Sequence, residues 1–177
     1  MKLTWQMRDV DRLSAEAEIR DLALKYAHAF LVRDEDLMLS LWAPLDPPAE
    51  PPILDRTWAN ALVARWRELG TTMLHVTNHL ITFEDEQHAS GHVQCLAQLD
   101  RGSGFVEQSI LYEDAYVRDG GAWRFAKRDH RLWFGLLREP HPMSQEDAEW
   151  PSSQVGSGTL GQDLGRVASG WWSGSDR

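Results

Sequence analysis

Two histidines, His75 and His79, stand in the run Met73-Leu74-His75-Val76-Thr77-Asn78-His79-Leu80-Ile81, which is otherwise mostly apolar and β-branched. Such a run reads as a strand, and a strand alternates its faces. His75, Thr77, His79, Ile81 and Phe83 are therefore expected on one side of a sheet. An imidazole in a partly apolar pocket titrates close to working pH, so it can take a proton in a transition state. His75 is the candidate general base, against the plainer role of a hydrogen-bonded core histidine. Buried polar groups need partners, and Glu107 and Asp129, on later strand-like segments, are the carboxylates expected to reach inward and orient it.

Around that base, Tyr26 is a candidate catalytic residue and Arg128 carries a group able to stabilise a developing anion. Their plainer roles are a core aromatic and a surface ion pair. Asn78 falls on the opposite pleat unless a bulge intervenes. His75, His79 and His92 do not form a metal-ligand pattern, because no His-x-x-x-His lies on a helix and no carboxylate set has matching spacing. No glycine-rich phosphate loop precedes a helix, so no nucleotide cofactor is implied. Cys95, in a strand-like segment, reads as a small buried hydrophobe.

The elements that must hold these groups are legible from periodicity. Ile19, Leu22, Ala23, Tyr26 and Phe30 make one stripe of an amphipathic helix, with Ser14 as its expected N-cap. Asp34 opens a short helix through Leu37, Leu41 and Trp42. The segment Pro44 to Pro52 suits neither helix nor central strand. Asp55 caps a third helix bearing Trp58, Leu62 and Trp66, closed by Gly70. Strand-like runs follow from Thr71, at Ala89 to Leu99, Phe105 to Arg118 and Trp123 to Trp133, with Asp119-Gly120-Gly121 as a hairpin turn. Helices first and strands after predict an α+β fold, a curved antiparallel sheet forming a cone closed by the N-terminal helices. The domain is expected over residues 9–138. Residues 139–177 form a Pro/Gly/Ser-rich tail whose Trp150, Trp171 and Trp172 suggest docking on the body or on a neighbouring subunit.

Composition narrows the function. The chain has 177 residues, 42% of them hydrophobic, and a net charge of −9, so a basic surface tracking phosphates is not expected. One cysteine excludes an internal disulfide, and the absence of a long apolar run or a signal-like start points to a soluble cytoplasmic protein.

The ordered set Ala17-Glu18-Ile19-Arg20-Asp21-Leu22, His75-Val76-Thr77-Asn78, Val93-Gln94-Cys95-Leu96, Tyr112-Glu113-Asp114-Ala115-Tyr116 and Gly121-Ala122-Trp123-Arg124-Phe125-Ala126-Lys127-Arg128 resembles the SnoaL-like branch of the nuclear transport factor two-like superfamily. The resemblance implies a cone of bent sheet around an apolar, aromatic-lined cavity. It implies a cofactor-independent lyase that removes a proton from a hydrophobic cyclic or aromatic molecule and expels water, halide or a carbon fragment. Double-bond isomerisation or cyclisation would use the same parts. His75 matches the strand histidine that such enzymes use as base, Tyr26 a first-helix position, and Arg128 a last-strand arginine that assists the leaving group. Phe30, Leu31, Asn78, Glu107 and Asp129 are the expected substrate-binding positions. Two departures stand out: Leu31 replaces the aspartate that holds the histidine in those enzymes, and the Pro44–Pro52 loop replaces a strand pair. The alternative is a non-catalytic binding or oligomerisation module, like the β subunit of ring-hydroxylating dioxygenases. A homodimer or homotrimer through the convex sheet face is expected in either case.

Overall fold

The computed structural model describes residues 8–44, 53–64, 70–101, 104–158 and 160. Helices α1 (Asp9–Val32) and α2 (Glu35–Ser40), a two-residue strand β1 (Ile53–Leu54) and helix α3 (Arg56–Ala64) come first. Four long strands follow: β2 (Thr72–Phe83), β3 (His88–Asp100), β4 (Phe105–Asp119) and β5 (Ala122–Arg138). The sheet order is β1-β5-β4-β3-β2 with antiparallel neighbours throughout, the α+β meander that the sequence predicts.

Ala15, Ile19, Leu22, Ala23, Tyr26 and Ala29 form the buried stripe of α1, spaced to face the sheet. The helix begins at Asp9 rather than after Ser14, whose hydroxyl instead reaches Glu18 one turn on. Asp9 and Asp11 already complement the positive helix N-terminus, so no cap is needed at Ser14. Asp34 caps α2 through the Leu37 N–H at 2.9 Å, and Asp55 caps α3 through the Trp58 N–H at 2.9 Å. Trp66 and residues 45–52 of the proline-rich loop lie outside the described residues. At the β4–β5 hairpin Gly120 and Gly121 take φ of 59° and 88°, which a tight turn of this hand requires.

Three register shifts bend the sheet into a cone. One lies in β2, where Thr77 and Asn78 together oppose Gln94; the other two leave Ala126 and Trp133 of β5 as extra residues. Each adds local twist and reverses which residues face inward. The β2 bulge corrects the expected shared face of the two histidines. Val76 and His79 both point into the cone, whereas His75 and Thr77 point out and are exposed. Trp123 and Phe125 are buried on the concave side.

Beyond β5 the tail crosses the sheet end. His141 packs edge-on against the buried Phe105 at 5.5 Å between centroids, and its Nε2 lies 3.3 Å from Asp100. Trp150 is 73% exposed in the single chain, so it does not dock on its own body, and Trp171 and Trp172 lie outside the described residues.

Candidate active site

The narrow half of the cone is filled. Trp42, Phe125 and Tyr116 are buried there around the guanidinium of Arg128, which is 1% exposed. Arg128 donates to both oxygens of Asp114 at 2.7 Å, and its Cζ lies 4.5, 4.1 and 4.4 Å from the ring centres of Tyr26, Tyr112 and Phe125. Burial works against its charge, but the Asp114 carboxylate outweighs that and holds the guanidinium ionised. Its Nε and Nη2 edge is thus held by the Asp114 carboxylate inside the cone.

A hydrogen-bond chain runs on from this pair. The Tyr116 hydroxyl donates to Asp114 at 2.7 Å, and Nε2 of His79 lies 2.9 Å from the Tyr116 oxygen. A phenol has one proton, already given to the carboxylate, so His79 must donate Nε2–H and keep its lone pair on Nδ1. Burial lowers the His79 pKa to about 4, with the Asp114 charge opposing and the Arg128 charge assisting.

The wide half holds a half-enclosed cavity of about 190 Å³. Tyr26 and Phe30 of α1, Trp58 and Leu62 of α3, and Leu74, Ile110 and Tyr112 of the sheet form its apolar walls. Its polar lining residues are Tyr26, Tyr112, Thr72, Gln108 and His130, with Asp100 and Arg101 beside Gly70. His130 packs edge-on against Tyr112 at 5.2 Å. Burial lowers its pKa, the Arg128 charge lowers it further, and Asp129 opposes both, so the ring is neutral at pH 7. Burial raises the pKa of Tyr26 and of Tyr112, which keeps both phenols protonated as donors.

The expected site residues are thus divided. Tyr26 and Phe30 line the cavity; Leu31 is half-buried on α1 outside it. His75 is exposed on the convex face, where Nε2 meets the Gln98 carbonyl oxygen at 3.3 Å. Gln98 in turn donates to Glu107 at 2.9 Å, and Glu107 also binds Arg138, so His75 reaches a carboxylate only through Gln98 among the described residues. Asn78, thrown outward by the bulge, donates to Gln94 at 2.8 Å. Asp129 points to the convex side, one of its oxygens buried without a hydrogen-bond partner among the described residues. His130, Tyr112 and Gln108 were not singled out from sequence. Strict alternation from Arg128 places His130 on the same face, and that was the available signal.

A cone of bent sheet with a polar-studded cavity at its wide end defines the class. The SnoaL-like domain model matches residues 11–129, and the chain belongs to that family. No curated protein matches the chain. Among solved structures, a hexachlorocyclohexane dehydrochlorinase of type 3 from Novosphingobium barchaimii is 22% identical with a TM-score of 0.64, covering 76% of this chain and 97% of its own. A candidate scytalone dehydratase from Novosphingobium aromaticivorans is 17% identical with a TM-score of 0.62, covering 78% and 99%. At these identities the likeness is one of fold.

Proposed function

We propose that this protein is a cofactor-independent lyase acting on a small hydrophobic ring compound, with the wide-end cavity as its substrate site and His130, in place of His75, as general base. The observation that carries this reading is the cavity itself: a largely apolar chamber lined by His130, whose ring is neutral, and by Tyr26 and Tyr112, whose phenols are protonated. Its volume of about 190 Å³ is little more than the ~150 Å³ that accommodates benzene in an apolar protein cavity, so the substrate is a single ring with few substituents. His130 removes a ring proton, the C–H electrons form the double bond, and the leaving group departs with its bonding pair from the adjacent carbon. Tyr26 or Tyr112 donates a hydrogen bond to that group as charge develops. The imidazolium, a stronger acid than usual because of its surroundings, returns its proton to the leaving group or to water at the mouth. The dehydrochlorinase and dehydratase neighbours share the fold on which this chemistry is built.

A second reading has its own observation. The narrow half is packed solid and Arg128 is locked to Asp114, as in a module that binds without turnover. One experiment separates them. The protein is incubated with monocyclic β-halo and β-hydroxy compounds while binding is followed by tryptophan fluorescence and product by mass spectrometry. Alkene formation that His130→Ala abolishes, with binding retained, supports the lyase. Saturable binding without product across the panel leaves the module.

A further inference from the structure

The wide-end cavity carries a charge that its own walls do not answer. Asp100 and Arg101 are the acidic and basic residues among those that line it, and they are neighbours in sequence. The pleat parts them. Ala89, Val93, Cys95 and Ala97 of β3 are buried on the concave side, and Leu99 continues their row as a wall of the cavity. Arg101 is the next residue on that side. Asp100 falls on the convex side, opposite Phe105, where its carboxylate lies 3.3 Å from Nε2 of His141. The guanidinium therefore stands at the cavity rim without the adjacent carboxylate beside it.

Arg101 is exposed, and its side chain makes no hydrogen bond or ion pair among the described residues. Its backbone is held firmly. The Arg101 N–H donates to the Gly104 carbonyl at 2.9 Å, closing the turn from β3 to β4, and the Asp100 N–H donates to the Thr71 carbonyl at 2.8 Å. Gly70 lies so close that any side chain there would collide with the Asp100 carbonyl. A long cation on a fixed base, at the edge of an apolar chamber, is how a pocket places the few polar groups that orient a ligand.

The base of the proposed reaction lies at the other end. His130 pairs with Tyr112, level with Val93, whereas Arg101 follows the last residue of β3. Between the two ends the walls are Leu74, Ala97, Leu99 and Ile110. His130 is neutral, and Arg128 is buried against Asp114, so neither is placed to hold an anion at the mouth.

We propose that the ligand of this cavity is a ring compound bearing a carboxylate at the end of a short apolar arm, with Arg101 as the residue that selects the acid. The ring sits among Tyr26, Phe30 and Trp58, the arm follows the aliphatic wall, and the guanidinium fork takes both carboxylate oxygens at the mouth. The inference rests on the cavity being the substrate site, and it adds the chemical class that enters.

Three probes of one shape test it: cyclohexylbutanoate with the acid at the chain end, its primary amide, and the corresponding primary amine. Binding is followed by tryptophan fluorescence and by calorimetry. The wild type should bind the acid about tenfold more tightly than the amide, as expected of a charged hydrogen bond partly open to solvent. That margin should shrink as salt rises from about 0.02 to about 0.5 M. Arg101→Gln should bind acid and amide alike, at the wild-type affinity for the amide and with unchanged circular dichroism, and Arg101→Glu should prefer the amine. Equal affinity of the wild type for acid and amide, or a preference for the acid that survives Arg101→Gln, overturns the proposal and leaves the cavity as the site of a neutral ligand. Failure of all three probes to bind overturns the proposal together with the cavity reading. Acid binding through Arg101 without turnover of a β-halo acid of the same shape upholds the proposal and removes only the lyase. Should a variant unfold, the salt dependence of acid against amide in the wild type decides.

Discussion

At His79 the ring is held by Tyr116, and Tyr116 by an Asp114 that Arg128 keeps ionised. Its lowered pKa, about 4 against an ordinary 6.5, has a consequence for stability. Between those values the unfolded chain binds more protons at this position than the folded one, so stability is full above about 6.5 and is lost as pH falls toward 4. Full conversion would give about 3 kcal/mol; partial exposure of the ring reduces this to about 1–2 kcal/mol. Urea melts at pH 4.5 and 7 should show that loss in the wild type and a shallower one in His79→Gln. Equal slopes would mean that the ring is not held neutral. For His130, replacement by alanine should lower turnover ~10²–10⁴-fold, whereas His75→Ala should change it less than about twofold. The wild-type rate should rise with pH through a midpoint below the usual imidazole value, and phenol ionisation should not curtail it near pH 9.

The elements explain why His75 was expected on the inner face and lies on the outer one. Helix stripes, the caps of α2 and α3 and the Asp119–Gly121 turn are set by local rules, and they were legible, although the Ser14 cap was not: Asp34 and Asp55 cap as expected, and Tyr26 and Phe30 share a face. Facing within a long strand is not local, because one extra residue reverses every side chain beyond it. Thr77-Asn78 contains no glycine to mark its bulge, so alternation was carried through a break and put His75 inside. The Ala126 bulge hid the interior pairing of Tyr112, Asp114 and Tyr116 with Arg128 in the same way. That pairing makes β4 and β5 one unit, and breaking it is the test at this scale. Arg128→Met leaves the Asp114 carboxylate buried without its cation and should destabilise by about 3–5 kcal/mol, while adding Asp114→Leu should recover much of the loss. A urea midpoint that hardly moves with Arg128→Met would return the guanidinium to the role of a free anion-binding group.

Across the whole molecule, the cone is closed at its narrow end by packing and at its wide end by less. α3 stands over the cavity through Trp58 and Leu62, and Asp100, one of the residues around the cavity, also contacts His141 from beyond the last strand. Among the described residues of the tail, the contact with the domain runs through the stretch around His141 and not through Trp150, whose ring is in solvent. Phe105, 2% exposed, owes part of its cover to His141. Fully burying a phenylalanine contributes about 2–3 kcal/mol, of which uncovering one face forfeits about half. For a chain of this size that is a fall of roughly 3–6 °C in Tm. Truncation after Glu139 should produce that fall, together with weaker ligand binding as Asp100 loses its neighbour. Truncation after Gly158 should leave Tm unchanged, and Trp150→Ala should stay within about 0.5 kcal/mol of the wild type. If the shorter and the longer truncations melt alike, the stretch around His141 contributes nothing, and the wide end is held by α3 alone.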